Sequence, residues 1–344
     1  PPGGSRQGFD SEMYIWHSIS GAIYGPKYDA AMNVALGVSA ATPLRIPQAA
    51  SLVSTISHPQ GAQPQLKAAA VLTVLDDVPP DNGATCFRPP YSGADKPLYS
   101  IYALRKDLLP NLPLVANTPS LASVAATFQR PWIDHFGHVG DGTQYSSPTD
   151  NMPSYGREYS MAVGRAALLL LLDEAQLVAT QGRNKDELLI RFVQLGIDLY
   201  HVTENGGYWW GKGGLNHGRK WPILFAGLML DHEHMRTIGS RSKSMPYWGF
   251  AEDAQTGFLS QADVDRTHSA QWRPDTRAAQ LIPCEADDVG TPEWNGGGWA
   301  PGLDPYGLNL YYGTPYRTID GMSYPGPVLA ALIMGQRSAW NHEA

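Results

Sequence analysis

MAVGRAALLLLLDEAQLVA, residues 161–179, followed by NKDELLIRFVQLGIDLYHVTE, residues 184–204, decides the fold class. The first stretch is apolar almost all round, which predicts a helix from Tyr155 to about Thr180 covered on most of its sides. In the second, Leu188, Leu189, Phe192, Leu195 and Leu199 recur at the helical period. Asn184 is its expected cap, with Asp186 and Glu187 in the first turn, where acids favour the positive helix end. WPILFAGLMLDHEHM, residues 221–235, and PVLAALIMGQRSAW, residues 327–340, add two more helices. NTPSLASVAATF, residues 117–128, adds a short one, with Thr118 as cap and Pro119 at the first helical position. Everything from Asn117 onward therefore reads as helices joined by polar and aromatic connections.

Upstream the pattern changes. MYIW (13–16), ASLVSTIS (50–57) and KAAAVLTVL (67–75) are short runs rich in β-branched, aromatic or small apolar residues, bounded by Pro, Gly and Asn. KAAAVLTVL also reads as a short helix because of its alanines. The expected architecture is α+β: a β-sandwich-like region over residues 1–116, then an α/α-toroid-like helical domain over residues 117–344. In that domain short turns would close one end and long loops would build a cleft at the other.

Composition narrows the function. Charged residues are 17% of the chain, aromatics 10%, Trp numbers 10, Tyr 17, and Gly and Pro number 36 and 28. A disordered chain would carry more charge and fewer rings. The net charge of −7 leaves no cationic excess to neutralise phosphates, so a general nucleic-acid binder is not expected. Asp173 and Glu174 break the longest apolar run, so no membrane span is expected. Many rings with Gly- and Pro-rich loops suit an exported protein that handles carbohydrate, secreted or held at the cell surface. The chain begins PPGGS, which reads as a processed form or one lacking its first part. Cys86 and Cys284 form one long-range disulfide or stay as two thiols.

The densest chemical stretch is NGGYWWGKGGLNHGRKW, residues 205–221. Its glycines allow close backbone approach to a ligand. A helix follows directly, so free N–H groups face the same place. Tyr208, Trp209, Trp210, Lys212, Arg219, Lys220 and Trp221 are the expected substrate-binding residues, since three cations so close together are hard to bury. Asn151 and Trp299 join them from WIDHFGHVGDGTQYSSPTDNMPSYGREY (132–159) and EWNGGGWAPGLDPYGLNLYYGTPYR (293–317).

Asn216-His217-Gly before a helix resembles the alginate-lyase and heparinase II/III-like group of α/α-toroid polysaccharide lyases, and exported bacterial proteins of that architecture. The resemblance implies β-elimination on an acidic, uronate-containing glycan. Asn216 and Arg157 would mask the uronate carboxylate, His217 or Tyr155 would take the C5 proton, and Tyr155 would protonate the leaving oxygen. The chemistry is sound on its own terms, because a proton beside a carboxylate becomes acidic only once that charge is masked. It calls for no cofactor and no metal.

Other readings compete. Asp134, His135, His138 and Asp141 give a weak metal pattern. Arg157 and Glu158 pair with each other in the plainer reading. His232 and His234 in DHEH (231–234) point to different helix faces, which suits a polar helix end. A glycoside hydrolase would need two carboxyls across the sugar, with Asp134, Asp141, Glu158 and Asp288 as candidates. A non-catalytic protein binding glycans or further subunits is the third reading.

Overall fold

The computed structural model describes residues 41, 43, 45–57, 66–133, 136–139, 142–145, 156–209, 211, 214, 216–245, 249–269, 283–294 and 319–342. MYIW, Asn151, Tyr155, Trp210, Lys212, Trp299, Asp134 and Asp141 lie outside these residues, and so does the His135 end of the metal pattern.

Strands β1 (Ser51–Ser57) and β2 (Leu66–Thr73) form an antiparallel hairpin, with Ser51 opposite Thr73 and Val53 opposite Val71. KAAAVLTVL is thus a strand, despite its alanines. Val53, Ala69 and Val71 lean on the helical core while Leu72 is exposed, the alternation a half-covered strand requires. The expected β-sandwich is not there. The described strands make three separate two-stranded sheets: this hairpin, β3 (Phe136–Val139) with β4 (Gly142–Tyr145), and β5 (Thr256–Phe258) with β6 (Pro292–Trp294). A sandwich needs two broad sheets packed face to face. Between β2 and residue 117 the chain instead carries Pro79, Pro80, Pro89, Pro90, Pro97, Pro110 and Pro113. Proline donates nothing to a strand ladder, and this stretch makes turns and three short 3-10 segments.

The helices are α1 (Leu121–Thr127), α2 (Gly156–Leu170), α3 (Glu174–Gln181), α4 (Asp186–Glu204), α5 (Lys220–Leu230), α6 (Glu233–Arg236), α7 (Ile238–Ser242), α8 (Ala251–Ala254), α9 (Gln261–Thr267), α10 (Pro325–Ile333) and α11 (Arg337–Trp340). Ser120, not Thr118, caps α1, accepting from Ser123 N. The long apolar run is two helices, because Asp173 caps a new one by accepting from Gln176 N. Lys185, buried just before α4, donates to the Leu170 and Leu172 carbonyls at 3.0 and 2.8 Å and so satisfies the end of α2.

Helix α5 explains why no toroid forms among these residues. Every residue from Lys220 to Met229 is buried. In a ring of helix hairpins each helix keeps one face toward solvent or the central cleft. Here α4, α6, α7, α10 and α11 all pack on α5, making it the centre of a cluster. Its approach to α4 is close because Gly196 has no side chain; a Cβ there would stand 2.1 Å from the Pro222 carbonyl oxygen. Phe87, Leu104 and Leu109, upstream of residue 117, belong to the same hydrophobic core as Phe192, Trp221 and Phe225. Cys86 and Cys284 are both free thiols. No helix among the described residues is long and apolar enough to cross a membrane.

Candidate functional site

The polar residues expected to line a cleft are inside the protein. Asn216, His217, Arg219 and Lys220 are at most 1% exposed, and Trp209 and Trp221 are equally covered. Arg219 and Lys220 have each found an internal partner. The Arg219 guanidinium lies 3.7 Å above the Tyr159 ring and donates to the His217 carbonyl at 2.7 Å. Lys220 Nζ pairs with Asp253 Oδ1 at 2.5 Å and faces the Trp340 ring at 4.6 Å. Asp253 also accepts from Ser242 Oγ. Arg157 pairs with Glu158, both about one-third exposed. Arg219 and Lys220, expected to bind substrate, instead belong to a buried network with Tyr159 and Asp253. Trp209 stacks on Phe250 and Trp221 packs against Phe225, so both rings fill the interior. Tyr208 is buried as well. Trp132 and Tyr159, at the two ends of the 132–159 stretch, pack with ring centroids 4.5 Å apart, and Tyr159 carries Arg219.

His217 is held on both ring nitrogens. Ser323 Oγ donates to the Asp320 carbonyl at 2.6 Å, so it accepts from His217 Nδ1 at 2.8 Å. His217 Nε2 faces Gln255 Oε1 at 3.0 Å and Asp320 Oδ1 at 3.3 Å. Gln255 Nε2 in turn donates to Asp320 Oδ2 at 3.1 Å. Burial holds the Asp320 carboxyl well above the usual carboxylate range. Ser323 is 1% exposed, and its hydroxyl is tied to the turn before α10, so Ser323, His217 and Asp320 make a structural lock rather than an open nucleophile.

The group that opens onto space is Glu252, on the short helix α8. Its Oε1 accepts from Gly218 N at 2.9 Å and Lys220 N at 3.3 Å, which satisfies backbone donors at the start of α5. Its Oε2 is buried without a hydrogen-bond partner. Burial raises the Glu252 carboxyl above its ordinary value, and the neighbouring Asp253 adds to the rise. Glu252 lines a cavity of about 190 Å³ together with Glu293, Trp294, Tyr324, Trp340 and His342. That is smaller than the roughly 300–1,000 Å³ of a usual small-molecule pocket, and suits a single ring or a short group. None of these six residues is among the sequence-based site candidates, although Glu293 and Trp294 open the stretch 293–317 that supplies Trp299. The available signal was Glu252-Asp253 set among apolar and small residues in FAEDA, residues 250–254. Adjacent acids in such a setting are buried only when paired or hydrogen-bonded.

A second cavity, about 240 Å³, is lined by Arg88, Arg130, Arg191 and Asp198 beside Phe128 and Trp132. Arg88 pairs with Asp198, and Arg191 pairs with Glu187 at 2.7 Å. Burial pushes the Asp198 carboxyl up to about 6 against the pull of Arg88. Among the described residues no group of three or more His, Cys, Asp or Glu is placed to hold a metal ion. Comparisons with protein-family models, with curated proteins and with solved structures gave no match.

Proposed function

We propose that the chain is an exported carbohydrate-active hydrolase that works at the Glu252–Glu293 cavity. The observation that carries this reading is Glu252: a 2%-exposed carboxyl, raised by burial, with one oxygen unpartnered, lining an aromatic-walled space beside a second carboxyl. Glycoside hydrolysis asks for such a pair in unlike environments. Glu252, its carboxyl raised by burial, serves as general acid to the departing glycosidic oxygen. Glu293 serves as the second carboxylate, attacking the sugar or activating water. Trp294, Trp340 and Tyr324 offer apolar faces for the C–H side of a sugar ring. The β-elimination expected at Asn216 and His217 draws no support from the geometry, because both residues are within the core and Arg219 is committed to Tyr159.

The test is a panel of neutral, amino and uronic polysaccharides assayed for new reducing ends and for the ultraviolet absorbance of a conjugated double bond. Hydrolysis gives reducing ends without that absorbance. Glu252→Gln, which keeps Oε1 for Gly218, should fold normally and lower kcat by about 10²–10⁴-fold. Unsaturated products, or full activity in Glu252→Gln, overturn the reading.

A further inference from the structure

We infer that the cavity lined by Arg88, Arg130 and Arg191 binds inorganic hydrogenphosphate, a tetrahedral oxyanion that carries a proton of its own, and discriminates against oxyanions that carry none. This site stands apart from the Glu252–Glu293 cavity and from the hydrolase reading. Three guanidiniums reach the space from three parts of the chain: Arg88 from the proline-rich stretch after β2, Arg130 from the segment after α1, and Arg191 from α4. Each is tethered through Nη1 to a backbone carbonyl, Arg88 to Pro89 O at 2.8 Å, Arg130 to Pro131 O at 3.1 Å and Arg191 to Ala125 O at 2.7 Å. The tether sets the plane of each fork before a ligand arrives, which lowers the ordering cost of binding. A guanidinium has five N–H donors. The bonds of Arg88 and Arg191 engage only Nη1 and Nη2, the second nitrogen pairing with Asp198 in one case and with Glu187 at 2.7 Å in the other. N–H groups therefore remain on both for an oxyanion.

Asp198 decides which oxyanion fits. It follows Arg191 and Gln194 along one face of α4, at spacings of four and three residues, and lines the same cavity. The residue is 2% exposed, and its Oδ2 pairs with Arg88. The Gln194 amide and the Tyr91 N–H favour its charged form from nearby, while Oδ1 is buried with no hydrogen-bond partner. Burial pushes the carboxyl up only to about 6, so above neutral pH it is ionised, and an ionised carboxylate accepts hydrogen bonds but donates none. Hydrogenphosphate meets Oδ1 with its P–O–H group and turns its other oxygens to the guanidinium forks. Sulfate and the dianion of a phosphate ester have no proton to give. One of their oxygens would face the carboxylate, adding repulsion to the unmade hydrogen bond. At about 240 Å³ the cavity is below the range of usual small-molecule pockets, which suits a bare ion.

The experiment is calorimetric titration of the whole chain with sodium phosphate, sodium sulfate and glycerol phosphate at constant ionic strength and about pH 8, well above the second ionisation of a phosphate ester at about 6. Phosphate should bind at least about tenfold more tightly than either of the others, the penalty for leaving a buried acceptor unmet. Arg191→Met should weaken phosphate binding by about tenfold or more, since it removes a charge-assisted donor. Asp198→Asn keeps an oxygen for Arg88 and offers an N–H to the ligand, so sulfate and the ester should come within about threefold of phosphate. The wild-type comparison needs no variant, so a substituted chain that misfolds leaves the question decidable. Equal affinity for phosphate and sulfate, an ester bound as tightly as the free ion, or no binding of phosphate overturns the inference. A phosphate preference that both folded variants keep in full also overturns it, because the ion would then sit elsewhere.

Discussion

Lys220→Met is the sharpest probe of whether the residues before α5 are core or cleft. Both Lys220 and Asp253 have side chains at 0% exposure, and they meet at 2.5 Å. Methionine keeps the length of the stem and its contact with Trp340, but removes the ammonium. Asp253 is then left with Ser242 Oγ and, at 3.7 Å, the His342 ring. Removing one partner of a buried ion pair costs about 3–5 kcal/mol, because the other charge stays desolvated. At roughly 2–4 °C per kcal/mol for a domain of 150–250 residues, the melting temperature should fall by roughly 6–20 °C. Urea unfolding followed by tryptophan fluorescence measures the loss directly. The double variant Lys220→Met/Asp253→Leu should regain most of it, since an apolar pair of similar volume often replaces a buried ion pair at no net cost. A single-variant loss below about 1 kcal/mol is the range of exposed pairs. That result would refute the buried network and return Lys220 to a solvated cleft. A large loss that the double variant does not repair would place the role of Lys220 in packing rather than in charge.

Gly196→Ala should destabilise by about 1–3 kcal/mol through overpacking, despite the better helix propensity of alanine, because the new Cβ meets the Pro222 carbonyl oxygen; a more stable variant in denaturant melts would show that α4 and α5 are further apart. His217→Ala should cost about 1–3 kcal/mol for each of Ser323, Gln255 and Asp320 left without its partner; unchanged thermal stability would remove His217 from the core network. His201 is buried with Nε2 unpartnered, and burial lowers its pKa below the ordinary histidine value. Its folded form is therefore favoured above about pH 6.5 and loses stability as pH falls below that. Asp198 works in the opposite sense, gaining folded stability as pH falls through about 6. The wild type should accordingly lose stability relative to His201→Phe between about pH 7 and about pH 5, with Asp198 common to both chains. Parallel pH profiles would contradict the assignment.

The helices were readable locally. The spacing of Leu188, Leu189, Phe192, Leu195 and Leu199 belongs to α4, and an apolar stripe of that period has no other stable use. ASLVSTIS was readable as a strand for the same reason, since side-chain alternation is a property of the chain itself. The number of strands per sheet was not, because pairing joins distant segments and the proline-rich stretch that follows β2 withholds its donors from any ladder.

What the sequence determined by itself is what depends on neighbours in the chain, the helical period above all; the Asp173 cap, which divides a run that reads as one helix, showed only in the structure. The tertiary structure alone decided which side of the protein the charges lie on. Arg219 and Lys220 look like surface residues because a lone cation costs too much to bury. They are buried because Tyr159, 60 positions before Arg219, and Asp253, 33 positions after Lys220, cancel that cost. The cavity has the same origin, since Glu252, Glu293, Tyr324 and His342 are spread over 91 positions and converge only when α8, β6, α10 and the residues around His342 come together. Local pattern carries no record of such partners, because a charge's desolvation is balanced through space and not along the backbone.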